Sequence, residues 1–391
     1  MTPSARLQAA IDIVEGLGAS AQPADRYIKE WFTTRRFAGS GDRRAVGEMV
    51  FRVLRHRASL AWRMQSESPR ALLTAALLAD DINPESLFTG GYGPAPLTNE
   101  EQAVIAATPA PAPSWVKGEY PQWLESELTR RFGDALADEM HAFATRAPVD
   151  LRVNSLKAAR DDVLAALKID GFDAQAIGTL GIRCPPGTRN LDKHALFLSG
   201  AFEIQDLAAQ TSVELAAVKP GMRVLDLAAG AGGKSLALAA AMQNTGEIIA
   251  SDTRGAALAE LEKRAKRAGA DIIRAHVLGD LPTGPFDLVF LDAPCSGSGT
   301  WRRQPELKWR LTPGRLSVLA ATQDQLLEQA GALAGTAMIY ATCSILPQEN
   351  EDRVAGFLAR NPGFRRVRPD FQASPAASGM DGFYAAFLTR N

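Results

Sequence analysis

The chain has 391 residues, of which 46% are hydrophobic and 22% are charged, and its formal net charge is −1. This composition supports a globular core and argues against wholesale disorder. The balanced charge excludes a uniformly basic protein. Residues 1–70 nevertheless hold 12 Lys and Arg against 7 Asp and Glu, so a local basic surface is expected there.

The three cysteines, Cys184, Cys295 and Cys343, cannot all pair within one chain, and no Cys or His spacing typical of a zinc site occurs. The first residues lack the charged-then-apolar layout of a signal peptide, and no apolar run reaches transmembrane length. We therefore expect a cytoplasmic protein with no metal site and no membrane partner.

The opening 80 residues are predicted to be helical, because "RLQAAIDIVEGL" and "GDRRAVGEMVFRVLRHRASLAWRM" repeat apolar residues at three- and four-residue spacing. Residues 91–113 are rich in Gly, Pro and Ala, which predicts a linker. A helical pair follows over about residues 119–145. The segment "PVDLRVNSLKAARDDVLAALKIDGFDAQAI" then predicts a strand, a helix and a strand in a small α+β module that ends near residue 199.

From about residue 200, apolar strands alternate with helices. Strands are predicted at "MRVLDLA", "GEIIASD", "IIRAHV", "FDLVFLD" and "TAMIYATCS". This alternation predicts an α/β domain with a mostly parallel sheet that helices cover on both faces. In such sheets, ligands bind outside the carboxyl ends of the strands.

Polar residues of chemical interest cluster at the ends of these predicted strands. In strand order they are Asp226, Asp252, Asp280, Asp292 with Cys295, and Cys343. Because the ends of parallel strands share one edge of a sheet, this convergence predicts a functional site there.

A glycine loop follows the first of these strands. Gly230, Gly232 and Gly233 allow the backbone to approach a ligand, and the helix that begins there presents unpaired amides. A phosphate-binding P-loop is the rival interpretation, since its GKS ending is present, but Ala228 stands where the first glycine belongs. Asp252 lies where Rossmann-like folds bind ribose hydroxyls, which favours an adenosine-containing ligand.

Two of the cysteines differ from an ordinary core cysteine. Cys184 is given no role, but Cys295 and Cys343 each stand where a strand meets a loop, and each is followed by serine. A free thiol is only about 3% thiolate at pH 7. Amide donors or a cation such as Lys234 would raise that fraction.

"LDAPCSGSGT" and "YATCSILPQENED" resemble the paired motifs of the NOL/NOP/Sun family of RNA 5-methylcytosine methyltransferases, which includes the bacterial RsmB-type 16S rRNA enzymes. "VLDLAAGAGGKS" resembles the family's S-adenosylmethionine loop, without the proline often found at the position of Ala231. "LRVNSLK", "AFEIQDLAAQ" and "DGFYAAFLTR" extend the similarity over about residues 145–391. The helical start resembles a NusB-like RNA-binding domain.

The resemblance implies an α/β architecture in four parts. These are an all-helical NusB-like domain over residues 1–90, a linker with connecting helices over 91–145, an RRM-like α+β module over 146–199, and a Rossmann-like class I S-adenosylmethionine-dependent methyltransferase domain over 200–391.

The resemblance also implies roles for single residues. Cys343 would add to carbon 6 of a cytosine, Cys295 would assist release of the product, and Asp292 would contact the cytosine edge and lie beside the cofactor. Asp252 would hold the ribose and Asp280 would lie near the adenine. The cofactor's amino-acid end would be lined by Ala228, Ala229, Gly230, Ala231, Gly232, Gly233 and Lys234.

Spacing alone leaves the identity of the attacking thiol open. DNA 5-methylcytosine enzymes use the cysteine of a Pro-Cys motif, which would select Cys295, whereas the Thr-Cys-Ser context favours Cys343.

A basic, aromatic segment follows the first thiol. Its side chains Arg302, Arg303, Lys308 and Arg310 are expected to hold RNA phosphates, and Trp301 or Trp309 to stack on a base. The alternative is a solvated basic face with two core tryptophans.

We therefore expect a monomer that methylates carbon 5 of a cytosine in 16S rRNA or a small-subunit precursor. A tRNA methyltransferase, a non-catalytic RNA-binding assembly factor and a P-loop nucleotidase are the alternatives.

Overall fold

The computed structural model describes residues 1–277, 279 and 281–391, and these residues form two compact units. The first unit comprises Met1–Thr145 and Trp301–Arg310, and the second comprises Arg146–Thr300 and Leu311–Asn391. Asp280, which was expected near the adenine, lies outside the described residues. Across the part of the chain that is described, we find no helix with the length and apolar character needed to cross a membrane.

Helices and strands alternate along most of the second unit, whereas the first unit is helical in its described residues. The helices are α1 (Pro3–Gly18), α2 (Ala24–Trp31), α3 (Ser40–Arg55), α4 (Arg57–Met64), α5 (Pro69–Leu78), α6 (Asn99–Ala106), α7 (Ser114–Lys117), α8 (Glu125–Phe132), α9 (Leu136–Ala144), α10 (Arg160–Ile169), α11 (Ala195–Leu198), α12 (Leu207–Glu214), α13 (Gly233–Ala241), α14 (Gly255–Ala268), α15 (Glu306–Arg310), α16 (Pro313–Leu333), α17 (Glu351–Arg360) and α18 (Pro375–Ser378). The strands are β1 (Val149–Val153), β2 (Gln175–Ile177), β3 (Gly181–Cys184), β4 (Phe202–Ile204), β5 (Arg223–Leu227), β6 (Glu247–Asp252), β7 (Ile273–Val277), β8 (Phe286–Asp292), β9 (Ala334–Thr342), β10 (Phe364–Arg366), β11 (Phe371–Ala373) and β12 (Phe383–Arg390).

The first unit contains the helical start that the apolar spacing predicted. Its core is built from apolar faces of α1, α3 and α5, such as Leu7, Val50 and Leu73. Helix α6 begins within the segment predicted to be a linker. Thr98 accepts a hydrogen bond from the backbone N–H of Glu101, whose side chain in turn accepts one from the N–H of Thr98. This reciprocal capping stabilises a helix that the surrounding Pro and Gly residues obscured.

Residues 301–310 pack with the first unit, although the sequence placed them in the catalytic domain. Glu306 accepts a hydrogen bond from the backbone N–H of Ala24 at 2.9 Å. The indole of Trp309 donates to the carbonyl of Leu54 at 2.6 Å. Because these contacts join residues far apart in the sequence, the local sequence pattern could not show that residues 301–310 belong to the first unit.

The second unit opens with a small antiparallel sheet in the order β2-β3-β1-β4. Its core contains Leu151, Ile182 and Phe202, with α10 supplying Leu167. The predicted strand-helix-strand order of β1, α10 and β2 is present. Strands β3 and β4 were not predicted, because each has no more than four residues and lacks a clear apolar period.

The larger sheet has the order β10-β12-β9-β8-β5-β6-β7, and β11 pairs with β12. Strands β5 to β9 run parallel, as predicted, whereas β10, β11 and β12 pair antiparallel, so the sheet is mixed. The expected α/β fold of the Rossmann-like type is confirmed. The parallel register brings the ends of β5, β6, β8 and β9 to one edge, where the predicted site residues follow.

Candidate active site

A pocket of about 770 Å³ opens at this edge of the large sheet. This volume is within the usual range for a small-molecule or cofactor site. Its lining includes Gln205, Asp226, Ala228, Ala229, Gly230, Ala231, Gly233, Lys234, Asp252, Arg254, Arg264, Asp292, Cys295 and Cys343. The structure therefore brings the predicted glycine loop, the carboxylates and both thiols into one cavity.

The glycine loop connects β5 to α13 through left-handed backbone. Gly230 and Gly232 have φ values of +58° and +82°, and Ala228 adopts +67°. Positive φ costs a residue with a side chain energy that glycine does not pay. A β-carbon on Gly232 would also lie 2.5 Å from Cγ of Leu261. The loop therefore needs glycine at position 232 for both its conformation and its packing.

Two arginines bond to carbonyl groups of this loop, and neither was assigned a role from the sequence. Arg152 donates to the carbonyl of Gly233 at 2.6 Å, and Arg264 donates to the carbonyl of Ala231 at 2.7 Å. Burial lowers the pKa of Arg152 to about 10. Glu203 accepts hydrogen bonds from Arg264 at 2.9 Å and from Arg267 at 2.5 Å. The small sheet thus supplies Arg152 and Glu203 to a network that holds the loop.

Asp252 ends β6 and accepts a hydrogen bond from the N–H of Gly230 at 2.8 Å. The guanidinium of Arg254 also donates to both of its carboxylate oxygens, at 2.9 and 3.0 Å. Burial alone would raise the pKa of Asp252, but these hydrogen bonds outweigh it and hold the pKa below its ordinary value. Asp252 is therefore an ionised acceptor at the position predicted for ribose hydroxyls.

Asp226, on β5, is fully buried and lines the pocket. Ser235 donates to its Oδ2 at 2.5 Å, whereas its Oδ1 has no hydrogen-bond partner among the described residues. Burial raises its pKa to about 6. A buried carboxylate oxygen with no partner is costly, so this atom is suited to a ligand cation.

Lys234 and Asp292 form an ion pair within the pocket, with Nζ 2.6 Å from Oδ2. Burial alone would lower the pKa of Lys234, but the negative charge of Asp292 and its hydrogen bond outweigh burial and raise it. The negative charge of Cys343 raises the lysine pKa further. Lys234 is therefore a protonated cation in the pocket that both thiols line.

The sulfur atoms of Cys295 and Cys343 lie 3.3 Å apart, and both line the pocket. The pKa of Cys295 is held well above its ordinary value by its hydrogen bond to Cys343, by burial, and by the charges of Cys343 and Glu349. Ionisation of Cys295 is therefore disfavoured in this pocket. Cys184 is buried in the small sheet, and burial raises its pKa to about 11, which fits the absence of a predicted role.

The basic segment that follows Cys295 was expected to present its positive charges to RNA, but three of its side chains are buried. Trp301, Arg302 and Lys308 are only 1%, 6% and 2% exposed. Lys308 lies over the rings of Trp301 and Trp309, and Arg310 donates to the carbonyl of Gln22 at 2.8 Å. The expectation that Lys308 and Arg302 offer their charges to RNA phosphates is wrong for this structure, because both side chains are buried in protein. Arg303 is partly exposed.

Comparison with known proteins agrees with this site. Residues 213–389 match the family described as 16S rRNA methyltransferase RsmB/F, and residues 120–183 match the ferredoxin-like domain of RsmF/B-like methyltransferases. Ribosomal RNA small subunit methyltransferase B of Shewanella oneidensis is 33% identical over 314 residues, which are 75% of this chain and 70% of that protein. A probable ribosomal RNA small subunit methyltransferase B of Synechocystis is 31% identical over 298 residues, or 69% and 67% of the two chains.

Among solved structures, the crystal structure of PH0851 has a TM-score of 0.80 and 25% identity to this chain, and the match covers 99% of both. The fold and the pocket define an S-adenosylmethionine-dependent methyltransferase. The chain belongs to the RsmB/F family of rRNA methyltransferases, and its curated relatives are matched over about two thirds of their length.

Proposed function

We propose that this enzyme methylates carbon 5 of a cytosine in 16S rRNA through a covalent bond between Cys343 and carbon 6. The observation that carries the proposal is the pair of sulfur atoms, 3.3 Å apart, in the pocket that also holds the glycine loop and Asp292. A methyltransferase acting on a ribose or on an amino group has no need for two thiols at its reacting centre.

The residues of the pocket fit S-adenosylmethionine. The unpartnered Oδ1 of Asp226 suits the ammonium of its amino-acid end, and the carboxylate of Asp252 suits ribose hydroxyls. The backbone of the glycine loop, held by Arg152 and Arg264, would border the same part of the ligand. When bound, S-adenosylmethionine supplies the methyl group that carbon 5 receives.

In this proposal Cys343 is the attacking thiol. Its negative charge would be balanced by the protonated Lys234, and Cys295 can donate its thiol hydrogen across 3.3 Å. Addition of the Cys343 thiolate to carbon 6 breaks the double bond between carbons 5 and 6 and gives carbon 5 enamine character. After methylation, water takes the carbon-5 proton, and the electron pair of that bond re-forms the double bond between carbons 5 and 6. The sulfur–carbon bond then breaks, its electron pair returns to the sulfur of Cys343, and Cys295 assists release by donating a hydrogen bond to that sulfur.

Asp292 and Lys234 are placed to interact with the polar edge of the base. During addition, negative charge develops toward N3 of the ring, where a preorganised cation or proton donor is effective. Because the ion pair lies beside the thiols, Asp292 can orient the lysine while accepting from the exocyclic amino group. Asp292 can therefore both orient Lys234 and contact the base from the position that it holds in the ion pair.

The test is methylation of 16S rRNA that lacks 5-methylcytosine, with isotopically labelled cofactor. Cys343→Ala should abolish incorporation, whereas Cys295→Ala should accumulate a protein–RNA adduct that survives denaturant. Cys184→Ala is the matched control, since that thiol lies outside the pocket, and it should methylate at the wild-type rate. Full activity of Cys343→Ala would overturn the assignment of the nucleophile.

Substrate choice needs a separate measurement. Bisulfite sequencing of RNA from a strain lacking the gene should reveal a loss of 5-methylcytosine in 16S rRNA and none in tRNA. A loss confined to tRNA would move the proposal to a tRNA enzyme. No loss in any RNA, together with no turnover in vitro, would favour a non-catalytic assembly factor.

A further inference from the structure

Glu349 is a fully buried carboxylate close to the two thiols, and the reaction described above does not use it. It lies in a helical turn, Pro347–Glu349, that follows β9 and precedes α17. A buried charge is costly unless hydrogen bonds compensate it, so its presence requires a reason.

Three elements donate hydrogen bonds to this carboxylate. Ser296 donates from its backbone N–H to Oε1 at 2.8 Å and from its hydroxyl to Oε2 at 2.5 Å. The hydroxyl of Ser344 donates to Oε2 at 2.6 Å, and Nε2 of Gln323, on α16, donates to Oε1 at 3.1 Å. The carboxylate is thus bonded at both oxygens by donors from two loops and a helix.

These contacts tie together the two loops that carry the thiols. Ser296 follows Cys295 directly, and Ser344 follows Cys343 directly. Two further contacts join the same two loops. The hydroxyls of Ser298 and Ser344 lie 2.9 Å apart, and the N–H of Gly299 donates to the carbonyl of Cys343 at 2.9 Å. Glu349 bonds to both serines, as does Ser298, so the carboxylate helps to set the spacing of the sulfur atoms.

The negative charge of Glu349 acts on Cys295. The donors that reach it within the described residues are neutral hydroxyl and amide groups. Its negative charge is one cause of the raised pKa of Cys295, after the hydrogen bond to Cys343, burial and the charge of Cys343. Lys234, by contrast, acts on Cys343.

We propose that Glu349 is a positioning residue that holds the two thiol loops at their spacing and places a negative charge where it opposes ionisation of Cys295. Its catalytic meaning rests on the proposed function, but the division of labour between the thiols is a property of the free protein. It explains why two identical side chains in one pocket would take different roles.

Other titratable groups also face this centre. The hydroxyl of Tyr340 donates to the backbone carbonyl of Glu349 at 2.5 Å, and burial, Cys295 and Glu349 raise the tyrosine pKa. The positive charge of Arg353 acts on Tyr340 in the opposite direction. Tyr340 and the ion pair of Lys234 with Asp292 are present in every variant compared below, so their effect on Cys295 is common to all of them.

The experiment measures alkylation of Cys295 by iodoacetamide, peptide by peptide, in protein without RNA between pH 6 and 10. A Cys343→Ser background isolates Cys295 from its neighbour. In that background, Glu349→Gln keeps the shape and removes the charge, because the serine hydroxyls can rotate to accept from the amide. We expect alkylation of Cys295 at pH 8 to increase about tenfold, because removal of the negative charge lowers the pKa of this thiol and raises its thiolate fraction.

Glu349→Asp in the same background retains the charge. Its Cys295 should be alkylated as slowly as in the Cys343→Ser protein. Glu328→Gln, which removes an exposed carboxylate from α16, is the matched control and should also leave it unchanged. If Glu349→Gln and Glu349→Asp change the alkylation rate of Cys295 equally, or if neither changes it, the proposed charge effect is wrong.

Methylation by the single variant Glu349→Gln, with both thiols present, completes the test. Slower release of the RNA adduct together with faster alkylation of Cys295 supports the whole inference. If wild type itself methylates no RNA while the alkylation results hold, the proposed function fails and the role of Glu349 in the thiol pair stands.

Discussion

Arg254 saturates the carboxylate of Asp252. Its guanidinium donates to both oxygens at 2.9 and 3.0 Å, its backbone N–H donates to Oδ1 at 2.8 Å, and the N–H of Gly230 occupies a further acceptor position. A carboxylate offers about four acceptor sites, so ribose hydroxyls can bond to Asp252 only when the guanidinium moves away. The side chain of Arg254 is 69% exposed, so this movement meets little obstruction.

Removing that guanidinium is expected to favour cofactor binding. Arg254→Ala should tighten binding of S-adenosylhomocysteine by about two- to fivefold, because an ion pair whose guanidinium is exposed contributes about 1 kcal/mol that binding must otherwise give up. Isothermal titration calorimetry measures the change. Arg274→Ala, at an exposed arginine on β7, is the control. Weaker binding by Arg254→Ala would mean that the guanidinium contacts the ligand after it moves.

The arginine that holds the carbonyl of Ala231 is expected to compensate for the proline absent from that position. Arg264→Met should weaken cofactor binding by about three- to thirtyfold, since it removes charge-assisted hydrogen bonds to the loop and to Glu203. Adding Ala231→Pro should restore part of the loss, because proline restricts the loop before the ligand arrives.

Lys263→Met serves as the control for the loop prediction, since Lys263 lies on the same helix with its side chain 77% exposed. It should bind cofactor as wild type does. If Ala231→Pro weakens binding further in the Arg264→Met background, the backbone at position 231 is incompatible with proline and the compensation argument is wrong.

The pattern of apolar strands was sufficient to predict the edge of the sheet at which the pocket lies. Buried parallel strands have a strong apolar signal, and the residue that follows each strand needs no long-range information to be placed. Asp252, Asp292 and Cys343 were therefore predicted at one edge, and the structure brings them there. Their chemical roles remain proposals, because a fold positions side chains and does not reveal what they bind.

The residues that pattern could not reveal act through contacts distant in sequence. Glu349 reaches Ser296 across 53 positions, and Arg152 reaches Gly233 across 81. For Lys308 the sequence pattern predicted a role that the structure does not support. Its basic, aromatic neighbourhood is typical of an RNA-binding surface. Burial between two tryptophans removes it from solvent, and no local property of "LKWR" distinguishes these cases.

A methyl group on Gly299 should disrupt the thiol loops. A β-carbon there would lie 1.9 Å from the carbonyl oxygen of Gly382, and that backbone has no rotamer by which to yield. The N–H of Gly299 also donates to the carbonyl of Cys343, so any displacement of this loop reaches Cys343. Gly299→Ala should lower the free energy of unfolding by about 1–3 kcal/mol and rRNA methylation at least about tenfold.

Gly314→Ala is the control for that substitution, because a β-carbon at position 314 meets nothing within 4 Å. Thermal unfolding and methylation are measured on both variants. Wild-type activity in Gly299→Ala would show that the two backbones separate easily and that the spacing of the thiol loops tolerates movement.

The buried Lys308 should make stability depend on alkaline pH. Burial is the main reason that its pKa falls from 10.5 to about 8, with Glu119 raising it and Arg55 lowering it. Between those values the unfolded chain binds more protons than the folded chain, so the free energy of unfolding rises with pH across this window. Below pH 8 the protonated lysine costs about 3 kcal/mol, a cost that Lys308→Met removes. The variant should therefore melt at a higher temperature than wild type at pH 7, and the difference should shrink toward pH 10. An equal difference in melting temperature at pH 7 and pH 10 would show that the cation is stabilised by the two indole rings and that its pKa is not depressed.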